Sequence, residues 1–253
     1  MPYVEIAGVN TYYEVCGEGS PVVLLHGGLA GAECWFGQIG PLSAVPFTVY
    51  TPERRGHGHT PDVEGPLTYE VMAADTLAFL EMVVAGPSHL IGWSDGAVIG
   101  ALVAMRRPDL VQRLILIGQY FNTTGRVTGG LVDRLMGMRD APPAFLAEVY
   151  GQTSPDGPEH FPLFFGKVLD MIASEPTLCL SDFAAIRAQT LVLQGDHDEV
   201  RVDHSGAVVE ALPDGHLAVL PGSHLLPVER PEIVNALLIS FLLDGPPKPI
   251  LFA

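Results

Sequence analysis

Gly92-Trp93-Ser94-Asp95-Gly96 is the stretch whose surroundings decide the fold. Ser88-His89-Leu90-Ile91 before it reads as a short buried strand. After it, Ala97, Val98, Ala101, Leu102 and Met105 recur at helical spacing until Pro108 ends the run. A chain that passes from strand to helix within five residues needs a tight backbone, and neighbouring side chains would clash with the crossing chain. The two glycines answer that need. The serine at the apex fits G-x-S-x-G, a pattern that presents a serine nucleophile at a strand–helix turn.

Further candidate strands lie on both sides, each ending in chemistry-bearing residues. Val22-Val23-Leu24-Leu25 ends in His26-Gly27-Gly28. Phe47-Thr48-Val49-Tyr50 leads into a Gly- and His-rich loop, residues 51–60. Arg113 to Ile117 is the strand after the Ser94 helix. Thr190-Leu191-Val192-Leu193-Gln194 runs to Gly195-Asp196-His197-Asp198, and His216-Leu217-Ala218-Val219-Leu220 precedes His224. Residues 3–15 alternate around Gly8-Val9-Asn10, as an edge hairpin does. Residues 68–84 predict a helix with Thr68 as N-cap and Val71, Ala74, Leu77, Ala78 and Val84 on the buried face. Ile233, Ala236, Leu237 and Phe241 mark a last helix that packs on the sheet. Near-continuous apolar strands alternating with helices predict an α/β fold, a mostly parallel central sheet with helices on both faces.

The chain resembles the α/β-hydrolase superfamily over nearly its whole length, and within it small esterase, haloperoxidase, C–C hydrolase and valacyclovir-hydrolase-like members. His26-Gly27-Gly28 is similar to the family's oxyanion loop. Pro52 to Thr60 is similar to its P-D-x-R-G-x-G-x-S segment, with Glu53 for Asp and Thr60 for Ser. His224, Glu229 and Pro231 are similar to its H-x-x-x-x-E-x-P ending. The order serine, acid, histidine is that of the family's triad.

The resemblance implies Ser94 as nucleophile, His224 as general base and Asp198 as the acid that orients it. Asp196 and Asp203 compete with Asp198, and Asp196 also suits a turn residue. His57 and His59 fall too early in chain order for the base, and His26 suits a role in orienting its loop. Backbone N–H groups of Gly28 and Asp95 are expected to hold the oxyanion, with Leu29 replacing Gly28 if the loop shifts by one. The Asp95 carboxylate has two readings, a helix-terminus charge or a partner for a substrate ammonium. Leu29, Trp93, Tyr120, Phe121 and Leu225 are the expected substrate-binding residues.

Residues 119–189 are too long for a loop and predict a helical cap inserted in a core of 1–118 and 190–253. The insertion holds Tyr120, Phe121, Met136, Met138, Phe145, Tyr150, Phe161, Phe164, Phe165 and Met171. About two-thirds of these are expected to pack cap on body and the rest to line an apolar pocket.

Composition bounds the function. At 253 residues and 48% hydrophobic content the chain fits one α/β domain with an insertion. A net charge of −16 argues against nucleic acid and anionic membranes as partners. Cys16, Cys34 and Cys179 form no disulfide framework, and the N-terminus has no signal-peptide pattern, so a cytoplasmic location is expected. Cys34 reads as a small buried hydrophobe close to the oxyanion loop. No metal-ligand spacing and no G-x-G-x-x-G pattern occurs, so no cofactor is expected. The stiff tail at 244–249 reads as a brace or a subunit contact. The expected partner is a small-molecule ester or acyl compound, with a homodimer allowed. The expected activity is serine hydrolysis through an acyl-enzyme. C–C hydrolysis, lyase chemistry, cofactor-free perhydrolysis and a non-catalytic small-molecule receptor stay open.

Overall fold

The computed structural model describes residues 3–243. The tail at 244–249 lies outside the described residues. The strands are β1 (Tyr3–Ile6), β2 (Val9–Gly17), β3 (Ser20–Leu25), β4 (Phe47–Pro52), β5 (Ser88–Trp93), β6 (Val111–Ile117), β7 (Gln189–His197) and β8 (Gly215–Ser223). The helices are α1 (Phe36–Ser43), α2 (Tyr69–Phe79), α3 (Asp95–Arg106), α4 (Leu131–Met136), α5 (Ala144–Thr153), α6 (Phe161–Ser174), α7 (Val202–Ala211), α8 (Leu226–Glu229) and α9 (Pro231–Leu243).

The strands form one sheet in the order β1-β2-β4-β3-β5-β6-β7-β8. β1, β2 and β4 pair antiparallel, and every pairing from β4 through β8 is parallel. The edge hairpin and the mostly parallel sheet are therefore as the sequence predicts.

The apolar strand runs have a direct physical cause. Successive side chains of a strand point to opposite faces, and both faces of this sheet are covered. Val23 and Leu25 of β3 and Leu114 and Leu116 of β6 enter one core with α2, α3 and α6. Val22 and Leu24, with Ile115 and Ile117, enter the other core with Trp35, α1 and α9. Each fully buried Leu, Ile or Val adds roughly 1.5–3 kcal/mol relative to exposure.

Two helix faces differ from expectation. Thr68 caps α2 and accepts from the Val71 N–H at 3.1 Å. The buried stripe, however, is Tyr69, Met72, Ala73, Thr76 and Phe79, while Val71 is exposed. In α9 the buried residues are Val234, Asn235, Leu238, Phe241 and Leu242, and Ile233 is exposed. Both helices are apolar nearly all round, so two stripes one residue apart satisfy helical spacing equally. Packing chooses the one with the bulkier side chains.

Every strand from β3 to β8 runs the same way, so the loops after β3, β5, β7 and β8 meet at one sheet edge. In open α/β sheets that carboxyl edge is where ligands bind. Residues 118–188 leave the sheet between β6 and β7, form α4, α5 and α6, and return. Phe161, Phe164, Phe165, Val168 and Leu169 of α6 join the first core.

Candidate active site

The turn at Ser94 is strained in the manner its glycines announce. Ser94 has φ 54° and ψ −123°, a conformation that costs a non-glycine residue about 1–3 kcal/mol. Its N–H is tied to Ile117 O of β6 at 2.9 Å. A side chain on Gly92 would overlap the Gly96 backbone, and one on Gly96 would overlap the carbonyl of Leu25 in β3. Only a bare backbone lets α3 start this close to the sheet.

Ser94, Asp198 and His224 come from three loops of the carboxyl edge and meet. His224 Nε2 lies 3.1 Å from Ser94 Oγ, and His224 Nδ1 lies 2.8 Å from Asp198 Oδ1. Asp198 is held in turn by the Glu199 N–H at 2.7 Å. Gly118 at the end of β6 has φ +59°, and a side chain there would come within 2.9 Å of Asp198 Oδ2 and 3.4 Å of His224 Nδ1. The Trp93 indole N–H donates to His224 O at 3.0 Å, fixing the backbone that carries the imidazole.

The competing residues lie elsewhere. Asp196 accepts from the Gly222 N–H at 2.9 Å, as a turn residue does. Asp203 pairs with Arg201 at the surface. His59 bonds Glu53, and His197 is exposed. His57 is buried under Phe164 of α6, where burial, reinforced by Arg54, pushes its ring down to about 3.

The His26-Gly27-Gly28 loop passes over the turn, so that a side chain on Gly27 would touch Ser94 Cβ at 3.4 Å. Gly28 packs directly against the Asp95 carboxylate. Leu29, next along, has φ 58°. Asp95 opens α3, and a first-turn N–H has no partner within its helix. Its carboxylate is buried and accepts from Tyr69 OH at 2.7 Å. Burial raises its pKa, with Arg54 and Tyr69 opposing. Of the two readings of that carboxylate, this geometry favours internal structure over a substrate ammonium.

A cavity of about 210 Å³ opens above Ser94. Gly28, Leu29, Trp93, Asp95, Tyr120, Leu225 and His224 line it. Phe121 does not. It is 1% exposed and packs edge-on against Phe183 at 4.9 Å, so its expected substrate role is corrected to core packing. Gly118 turns the chain at the end of β6, and Tyr120 and Phe121 then point to opposite sides. The expected aromatic pocket wall is corrected too. Among the insertion's named aromatics and methionines, Tyr120 alone reaches the cavity. The wall is aliphatic instead, made by Leu131, Val132 and Leu135 of α4 with Val168 and Ile172 of α6.

Two further residues, Glu199 and Arg54, escaped sequence reading, and Cys34, already read as close to the oxyanion loop, joins them at the site. Glu199, beside Asp198, lines the cavity and accepts from the Leu131 N–H, joining the acid's loop to α4. Arg54 lies buried behind the Gly28 loop, and only its place in the 51–60 segment marked it. Cys34 does line the cavity, half-buried, and burial pushes its thiol up to about 12. Among the described residues no cluster of His, Cys, Asp or Glu is arranged to hold a metal ion. Among them, likewise, no helix is long and apolar enough to cross a membrane.

Comparison with known proteins agrees with this architecture. A family model described as the alpha/beta hydrolase family matches residues 22–237. The chain is 26% identical over 263 residues to RutD of Azorhizobium caulinodans, named for carbamate hydrolysis, covering 95% of this chain and 98% of RutD. It is 25% identical over 266 residues to pyrrolizixenacetamide deacetylase of Xenorhabdus hominickii, covering 96% and 98%. Among solved structures, bromoperoxidase from Bacillus anthracis superposes with a TM-score of 0.80 at 24% identity, covering 96% of this chain and 100% of that one.

Proposed function

The chain belongs to the alpha/beta hydrolase family, and from that premise we propose that it is a serine hydrolase cleaving a small, uncharged carboxylic ester or related acyl compound. One observation carries the reading: the hydrogen-bonded chain from Asp198 through His224 to Ser94 ends in a partly open, mostly apolar cavity.

A serine hydroxyl is too weak a nucleophile without an adjacent base. Ser94 Oγ attacks the acyl carbon while His224 Nε2 takes its proton. Asp198 holds the Nδ1–H tautomer and stabilises the imidazolium. The N–H groups of Gly28 and Asp95 receive the oxyanion, each worth about 10²–10³ in rate. His224 then protonates the leaving group, and water repeats the sequence on the acyl-Ser94 to release the acid. Residues 119–189 serve as the cap that closes the site over a core of 1–118 and 190–253.

Size and charge narrow the acyl group. The cavity of about 210 Å³ is somewhat larger than the ~150 Å³ that accommodates benzene, so a group near one aromatic ring in bulk fits. The charged residues of the lining are Asp95, whose carboxylate is held by Tyr69, and Glu199, which pairs with Arg134 at 3.1 Å; among the described residues no Lys or Arg lines the cavity. An anionic acyl group would be desolvated there without a partner, at a cost of several kcal/mol.

The test is turnover of p-nitrophenyl esters across acyl lengths, with the succinate half-ester beside the neutral butyrate. Ser94→Ala and intact mass after a fluorophosphonate accompany it. We expect one adduct and short-acyl turnover, both lost in Ser94→Ala, with the half-ester slower than butyrate by at least tenfold. No adduct and no turnover would sink the hydrolase reading. Equal rates on the two esters would sink the charge selection alone.

A further inference from the structure

The wall behind the Gly28 loop is polar and charged in an otherwise apolar interior. Buried Arg54 donates from Nη1 to His26 O at 2.5 Å and from Nη2 to Gly27 O at 3.0 Å. Its backbone N–H donates to His26 Nε2 at 3.1 Å. That bond makes Nε2 the lone-pair nitrogen, so the proton of neutral His26 sits on Nδ1. Burial, with Arg54 next in effect, holds the His26 ring well below its usual pKa, which keeps it neutral. His26 Nδ1, 2.8 Å from Gly27 O, is then a second donor to the same carbonyl.

The counter-charge comes from the residue after the nucleophile. The Asp95 carboxylate packs on Gly28 and is held by Tyr69 OH. Burial lowers the Arg54 pKa to about 10, and Asp95 is the leading influence in the opposite direction. Arg54 Nε has no partner among the described residues. A buried cation costs several kcal/mol, and a well-packed apolar side chain would serve stability as well or better. Stability alone therefore does not account for an arginine here.

From this geometry we infer that Arg54 is a positioning residue for oxyanion stabilisation, acting through the Gly27–Gly28 peptide. That peptide is trans, since the cis bond of the described chain is Glu175–Pro176. In a planar trans peptide the C=O and N–H point in opposite directions. Two donors holding Gly27 O on the Arg54 side turn the Gly28 N–H away from Arg54, toward the Ser94 side of the loop. The N–H is then oriented before substrate arrives, with no reorganisation during the reaction. Of the two register choices the sequence left open, this one selects Gly28. The inference rests on the serine hydrolase reading above.

Arg54→Lys and Arg54→Met test it in the full chain. Lysine keeps the positive charge but loses the planar fork that reaches two carbonyls. Each variant is titrated with the fluorophosphonate, so that kcat is expressed per reactive Ser94. The expected result for both is a kcat about 10²-fold lower, the scale of one oxyanion donor, with KM within threefold of wild type. Affinity for a trifluoromethyl ketone, which forms a tetrahedral adduct, falls by the same factor. A purely structural role would lower the count of reactive serines and leave kcat per site unchanged. That outcome, or full activity in Arg54→Lys, would overturn the inference. If Arg54→Met does not fold, Arg54→Lys decides it. A wild-type protein with neither turnover nor adduct would remove the hydrolase reading, and this inference with it.

Discussion

The two sides of the cavity are built on different principles. The side carrying Ser94, Gly28, Asp95 and His224 is made of turns in which backbone passes against backbone, and each residue there has little freedom of identity. Gly92, Gly96 and Gly118 all occupy points where a side chain would strike a neighbour. The facing side, from α4 and α6, is Leu131, Val132, Leu135, Val168 and Ile172, an aliphatic surface that many sequences could supply. Chemistry demands positions fixed to a fraction of an ångström. Enclosure demands only volume and low polarity, and apolar surfaces tolerate exchange at similar volume.

The same substitution on the two sides is the strongest way to break this contrast. Gly96→Ala puts a Cβ against the Leu25 and His26 carbonyls, neither of which can yield without moving β3. We expect a loss of about 3–5 kcal/mol, at the severe end for a single change. Gly166→Ala falls in mid-α6 at ordinary φ with open space around the new methyl. It should stabilise by about 0.5–1 kcal/mol, because alanine has less freedom to lose in a helix. Thermal unfolding of the two variants checks both signs. Equal effects would mean that the turn side is no more constrained than the other.

The contrast also explains what the sequence made legible. The Ser94 turn, the β3 loop and the order of acid and histidine were readable because geometry there dictates residue type. The sheet was readable because alternate strand residues feed two cores and leave a continuous apolar run. The cavity wall was not. Phe121 and Tyr120 are adjacent aromatics, and it is the fold, not residue type, that puts Tyr120 on the cavity and Phe121 against Phe183. In α2 and α9 two stripes one residue apart were equally apolar, so sequence could not choose the buried face. Arg54 was hidden for another reason. Its partners are the main-chain carbonyls of His26 and Gly27, and a carbonyl carries no sequence signature.

His57 sits at the seam between the two sides and offers a pH test. Its ring lies 5.0 Å from His26 of the Gly28 loop and 4.9 Å from Phe164 of α6, centroid to centroid. In the unfolded chain histidine takes its proton near 6.5, whereas folded His57 resists protonation to about 3. Between those values the unfolded state binds more protons, so stability falls as pH falls through that window. From pH 6.5 to 5 this one ring contributes a loss of about 2 kcal/mol. His89, lowered to about 4 by burial and then Arg113, adds a separate part of the same slope. In His57→Gln the fall in Tm between pH 7 and 5 should be visibly smaller than in wild type. Identical slopes would show that the seam opens and hydrates His57 before the fold is lost.

The smallest expected effect is also the sharpest test of which side selects the substrate. Leu135 lies on α4, lines the cavity and is only partly buried, so truncating it removes wall without emptying a core. Leu135→Ala should leave Ser94 labelling by a fluorophosphonate within about threefold of wild type, because none of the turn side has moved. The enlarged cavity should favour acyl chains one or two carbons longer than the wild-type optimum. Filling or emptying one methylene's worth of apolar pocket changes selectivity by about 1–3 kcal/mol, so the ratio of long to short acyl kcat/KM should rise roughly tenfold. If the ratio holds while both rates fall together, then α4 aligns the reacting groups through the Glu199–Leu131 link to the Asp198 loop. The division between a reacting side and an enclosing side would then fail at that helix.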